Sequence, residues 1–140
     1  MQKLFSHYLG NKIVPATAAN IPVQNRPLTK KDSSDGVTSK TIPALFYSAT
    51  LNHTSGIVYV KLVNTMAKKQ IINIKVNGIT KNFAEAKLIV VKGDQPCDTN
   101  TLGNPEKIPP QTSVIKNIKP LFARILEPYS VTIIELKPGN

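Results

Sequence analysis

The 140-residue sequence has a single cysteine, Cys97, and no tryptophan. One thiol forms no internal disulfide and cannot build a multi-cysteine zinc site. Histidine is nearly as rare, and neither His7 nor His53 has a second ligand at metal spacing. With no metal motif and no glycine-rich phosphate loop, no cofactor is expected. No apolar run approaches the roughly 20 residues that cross a bilayer as a helix, so no membrane partner is expected either. At the start, Leu4 and Phe5 give way to Ser6, His7 and Tyr8, which interrupts any signal-peptide core.

Acidic residues are scarce too. Eight Asp and Glu stand against eighteen Lys and Arg, a formal charge of +10. The excess is almost wholly lysine, since Arg26 and Arg124 are the only arginines. The planar forks that clamp phosphate and read guanine are therefore nearly missing. Only Lys30–Lys31 and Lys68–Lys69 are adjacent. Lysines scattered in this way read as a solvated face, and no nucleic-acid partner is expected.

What the chain does have is alternation and punctuation. Its apolar share of 41% suits a folded protein, and its length suits one domain, residues 1–140. Eleven prolines and seven glycines cut it into short segments. Leu45, Tyr47, Ala49 and Leu51 alternate with Phe46, Ser48 and Thr50. After the turn Asn52-His53-Thr54-Ser55-Gly56, Val58, Val60 and Leu62 alternate with Tyr59 and Lys61. Two alternating runs joined by a glycine-containing turn predict a hairpin. Ile72, Ile74 and Val76 point inward in the next run, with Asn73 and Lys75 outward. Further strands are predicted at AKLIVV, LFARIL and SVTIIEL, and shorter ones at QKLFS and KIVPAT.

No stretch sustains a 3.6-residue period with caps, so helix should be minor or absent. The expected fold is all-β, an antiparallel β-sandwich of jelly-roll type. Residues 23–41, rich in Lys, Ser, Thr and Asp, are expected to form a mobile loop. Residues 95–111, with four prolines, are expected to cross between strands in extended form.

Catalytic chemistry is mostly missing. A glycosidase needs two carboxyl groups a few ångströms apart, one with its pKa raised by its surroundings. Asp32 and Asp35 fall in the expected loop; Asp94, Asp98 and Glu106 fall in turns. Strand alternation puts Glu135 on the face of Val131 and Ile133, where a carboxylate near a strand end is expected to reach solvent. Glu85 and Glu127 complete the set. Cys97 has no neighbouring His to lower its pKa and does not read as a nucleophile. Asn52-His53-Thr54 matches the N-glycosylation pattern, which carries meaning only in a eukaryotic secretory pathway. Sugar binding by an aromatic platform would fall to Tyr8 and Tyr59, the pair expected to be exposed.

Three stretches in order resemble one family. QKLFSHYLGNKIVP, LFYSATLNHTSGIVYVKLVN and NTLGNPEKIPPQTSVIKNIKPLFARILEPYSVTIIELK are similar to the C-terminal domain of family 51 glycoside hydrolases, the α-L-arabinofuranosidases. The resemblance runs from Gln2 to Lys137, with a variable gap over residues 23–41. Asn52 stands where an Asp is common in the family, and Glu135 where an Arg is common.

The resemblance implies a division of labour. Family members release terminal α-L-arabinofuranosyl residues from arabinan and arabinoxylan by a retaining mechanism. Their two catalytic glutamates belong to an N-terminal (β/α)₈ barrel, which needs roughly 250 residues and is absent from this chain. No segment here matches either catalytic motif. The sequence is therefore read as a domain of a larger enzyme, with no catalytic residue of its own. Its expected partner is its own barrel, through which an arabinose-containing polysaccharide would be reached. Phe5 and Tyr8 are the candidate contacts. The parent is expected to be oligomeric, as family members often are, and a secreted or periplasmic location is compatible with it. The alternative is a stand-alone carbohydrate-binding or adhesion module.

Overall fold

A computed structural model describes residues 2–95, 98, 100, 103 and 107–139. The readings of Cys97 and Glu106 lie outside these residues. A short helix, α1 (Gln2–His7), precedes strand β1 (Lys12–Val14). Strand β2 (Val23–Asn25), a helical turn α2 (Lys30–Ser34) and strand β3 (Thr41–Pro43) follow. The main strands are β4 (Leu45–Leu51), β5 (Val58–Asn64), β6 (Gln70–Lys75), β7 (Phe83–Lys92), β8 (Gln111–Ile118), β9 (Leu121–Leu126) and β10 (Ser130–Pro138).

Six strands form one antiparallel sheet in the order β1-β4-β5-β10-β7-β8, while β6 pairs with β9 and β2 with β3. The period-2 pattern decides which side is dry. Val58, Leu62, Leu88, Ile134 and Leu136 face Ile72, Ile74, Phe122 and Leu126 of the β6–β9 ribbon across the core. This is the antiparallel β-sandwich expected from the alternation. Ile134 and Leu136 are fully buried, and each contributes about 1.5–3 kcal/mol by leaving water.

The predicted hairpin is β4–β5. Its turn closes through Asn52 N–H to Ile57 O at 2.8 Å, and the Asn52 side chain accepts from the amides of Thr54 and Ser55. Gly56 sits at φ +68°, which a side chain would disfavour.

Asn64, at the end of β5 and 1% exposed, ties the ribbon to the sheet. Its Nδ2 donates to the carbonyls of Lys68 (2.9 Å) and Glu127 (2.7 Å), and its Oδ1 accepts from Gln70 Nε2 (2.6 Å) and Met66 N (3.0 Å). One amide side chain thus satisfies backbone groups from the entry to β6 and the exit of β9, groups that would be costly to bury unpaired.

Three expectations need correction. QKLFS is helical rather than extended: one turn places Leu4, Phe5 and Tyr8 on one face, which packs against the sheet beside Ile89, Val131 and Ile133. Residues 23–43 carry two short strands and a capped helical turn, secondary structure that the expectation of a mobile loop over 23–41 did not include. Strand β8 was not foreseen, and it pairs with β7 from Phe83↔Ile118 to Val90↔Gln111.

Candidate functional site

The side chains with chemistry gather on the outer face of the large sheet, where α1 lies. Odd-numbered residues of β5, of β7 from Glu85 onward and of β10 up to Lys137 point there, so Tyr59, Lys61, Glu85, Lys87, Glu135 and Lys137 share one surface through the registers Glu135↔Tyr59, Glu135↔Lys87 and Lys137↔Glu85. Lys61 is 6% exposed, and its Nζ donates to the carbonyl of Phe5 at 2.6 Å while lying over the Phe5 ring. Burial pushes its ammonium below the usual lysine range. Lys87 donates to Tyr8 Oη at 3.1 Å, and that bond holds its ammonium above its ordinary value. Tyr8 and Tyr59 approach to 6.4 Å between ring centres at 57°, a tilted pair rather than a flat platform. Burial, then the Glu135 carboxylate, pushes the Tyr59 phenol up.

The two candidate contact residues from the sequence therefore meet here. Phe5 and Tyr8 are half-buried and turned onto their own sheet, each holding a lysine. Tyr8 and Tyr59 are half-buried as well, which corrects the expectation of an exposed pair. Glu135 lies on the face of Val131 and Ile133, as the alternation implied. Its side chain is only 12% exposed, however, because α1 and its neighbours cover that part of the sheet.

Lys137 serves two carboxylates, Glu85 at 2.8 Å and Glu135 at 4.0 Å. The hydrogen bond from Lys137 holds the Glu85 carboxyl below its ordinary value. A retaining glycosidase needs one of its pair protonated near neutral pH. On Glu85 the Lys137 ammonium does the opposite. The arrangement is a salt-bridge network that fixes strands β7 and β10.

Asp32, Asp98 and Glu127 are also spent on structure. Asp32 is buried at the first turn of α2, where Thr29 Oγ1 and N donate at 2.6 and 2.9 Å, Arg26 donates at 2.8 and 3.1 Å, and Lys40 at 3.4 Å. These bonds, Thr29 first, hold its carboxyl far below the usual range. Asp32, which the sequence placed in the expected loop, is held there by structure: Thr29-Lys30-Lys31-Asp32 is a capping box with Asp in the usual Glu position. Asp98 accepts from Lys107 at 2.7 Å and from the amides of Asp94 and Gln95. It borders a cavity of about 210 Å³ lined by Thr65, Gly93, Gln95, Ile108 and Tyr129 among others. That is below the roughly 300 Å³ of the smallest usual ligand sites. His7 packs edge-on against Tyr8, and the amide of His53 binds Asn11. Among the described residues, no three His, Cys, Asp or Glu gather closely enough to hold a metal ion.

No protein-family model and no curated protein matches the chain. Solved structures do. An arabinose-bound GH51 α-L-arabinofuranosidase, MgGH51, superposes on 99% of this chain with a TM-score of 0.73 and 22% identity. The fold is one found within GH51 arabinofuranosidases. The thermostable GH51 α-L-arabinofuranosidase of Thermotoga petrophila covers 94% at a TM-score of 0.71 and 17% identity. AbfB, a family 51 α-L-arabinofuranosidase from Bifidobacterium longum, covers 69% at 0.55 and 23%. At these identities the GH51 likeness is one of fold. The match takes up 18%, 27% and 19% of those three chains, so this chain spans less than a third of their length.

Proposed function

We propose that this chain is a non-catalytic accessory domain of an α-L-arabinofuranosidase, packed on and stabilising a (β/α)₈ barrel in a longer protein. One observation carries the reading: 99% of these residues align with only 18% of a GH51 enzyme. The side chains support it, since Asp32, Glu85, Asp98 and Glu127 are each drawn down by a cation or a hydroxyl rather than raised for proton transfer. The parent would hydrolyse terminal α-L-arabinofuranosyl residues of arabinan or arabinoxylan, with both catalytic glutamates supplied by its barrel.

Two measurements test this together. Sequencing the coding DNA upstream of Met1 is expected to reveal an open frame for a barrel with two strand-end glutamates. Calorimetric titration of the 140-residue chain with arabino-oligosaccharides is expected to show no saturable heat. A stop codon directly upstream, together with saturable binding, would replace the accessory domain by a free-standing sugar-binding module.

A further inference from the structure

The face that meets a partner is marked by a departure from the usual pattern. An antiparallel ribbon with one side on a core normally turns polar residues to water. In the β6–β9 ribbon the inner side carries Ile72, Ile74, Phe122 and Leu126 beside Gln70 and Arg124, yet four of the six outward side chains, Ile71, Leu121, Ala123 and Ile125, are apolar too, with Asn73 and Lys75 between them. Ile71 (76% exposed) and Ile125 (59%) are direct cross-strand partners, and Leu121 (59%) lies opposite Lys75. All three outward positions of β9, namely Leu121, Ala123 and Ile125, lack a polar atom in the side chain.

The charge around this patch is mostly positive, although Glu127, just past β9, pairs with Lys69 at 3.1 Å and Asp98 pairs with Lys107 at 2.7 Å. Residues 65–82 contain four Lys and no Asp or Glu; residues 107–126 contain three Lys, one Arg and again no Asp or Glu. Lys75 and Lys119 are exposed, and among the described residues neither has a carboxylate within salt-bridge distance. The outer face of the large sheet differs: it interleaves Glu85 and Glu135 with its lysines and is partly covered by α1.

We propose that the outer face of the β6–β9 ribbon is this domain's docking surface, and that its occupant is a protein surface with an apolar centre and a carboxylate rim. Resting on the accessory-domain reading, that occupant is the catalytic barrel of the same protein. The apolar centre supplies the area that gains from leaving water. The lysine rim selects against wrong partners, because like charges brought face to face are repelled. A second copy of this chain would bring two lysine-rimmed faces together, so a homodimer through this patch is disfavoured. Phe5 and Tyr8 hold α1 on the opposite side of the sandwich and play no part in this contact.

The test uses the full-length protein that carries these residues, treated with a carbodiimide that joins lysines to carboxylates in contact, then digested for mass spectrometry. Cross-links from Lys75 or Lys119 to Asp or Glu outside residues 1–140 are the expected result. The double variant Ile71→Glu, Ile125→Glu should reduce them to background. Both substitutions sit at exposed positions, and an unchanged circular dichroism spectrum would confirm that the fold persists. A long chain cross-linked only through other lysines would overturn the face assignment and leave the accessory-domain reading standing. A native protein of only 15.3 kDa would overturn that reading and the barrel as occupant together. Cross-links between two copies through this face, or lysines shielded by a polyanion and freed by nuclease or lyase digestion, would also overturn the proposal.

Discussion

Lys61 reaches from the middle of strand β5 to the carbonyl of Phe5, 2.6 Å away, and so fastens the first helix to the sheet with one hydrogen bond. The bond satisfies a carbonyl near the end of α1, where the helix supplies no partner of its own. Lys61→Ala leaves that carbonyl unpaired and opens space beneath the Phe5 ring. The expected cost is about 2 kcal/mol, which for a chain of this size lowers the melting temperature by about 6 °C. Calorimetry checks it, and an unchanged melting temperature would mean that α1 adds nothing to the fold.

Asp32 carries a different load. Asp32→Asn keeps the shape but removes the charge that Arg26 and Lys40 bind. Residues 23–43 should loosen while the sandwich persists. Limited trypsin digestion is expected to cut faster after Lys30, Lys31 and Lys40, with the core strands uncut. Equal cleavage of variant and wild type would count against the capping box as the anchor.

Stability should fall on acidification, and the direction follows from the carboxylates. Asp32, Glu85, Asp98 and Glu127 are all held below their ordinary values, by Thr29, Lys137, Lys107 and Lys69 respectively. In the unfolded chain such groups take up protons near pH 4, before the folded chain does. The unfolded state then binds more protons, so stability is full above about pH 5 and is lost as pH falls through the lowered folded values. Urea midpoints at pH 7, 5 and 3 should decrease in that order, and Asp32→Asn should flatten the trend.

Asn64→Ala is expected to be among the most damaging single changes. It strands Gln70 Nε2, the amide of Met66 and two carbonyls in a dry environment. The expected loss is about 3 kcal/mol, read from chemical denaturation. Asn64→Asp should not rescue it, because the carboxylate has no donor for the carbonyls of Lys68 and Glu127.

Gly10 is fixed by a neighbour's backbone. A Cβ there would run into the carbonyl of Leu51, and its own amide donates to Thr50 Oγ1 at 3.0 Å. Gly10→Ala must push the chain before β1 away from β4. Amide exchange should accelerate along β1 and the facing part of β4, and unaltered exchange would show that the close approach is not required.

The hairpin, the inward and outward sides of β6, and the paired faces of β5 and β10 were legible because each depends only on alternation and one turn. Helix α1 was not. Six residues are too few to display a period, and its apolar face of Leu4, Phe5 and Tyr8 makes sense only once a sheet lies beneath it. The capping box at Thr29 and Asp32 was visible as a spacing, but the Asp in place of Glu hid it. In strand β8 the residues on both sides are largely polar or exposed, so no alternation marked it. At the candidate site, the alternation placed Glu135 on its face. Its covering came from α1, and the pairing of Lys137 with two carboxylates came from registers between strands far apart in sequence.

Because one amide side chain, Asn64, grips both the segment entering β6 and the segment leaving β9, the ribbon cannot peel from the large sheet by fraying at that end. Any opening there breaks the whole Asn64 junction at once. The two layers should therefore melt as one cooperative unit, with slow-exchanging amides of β6 and β9 sharing the opening energy of β5 and β10.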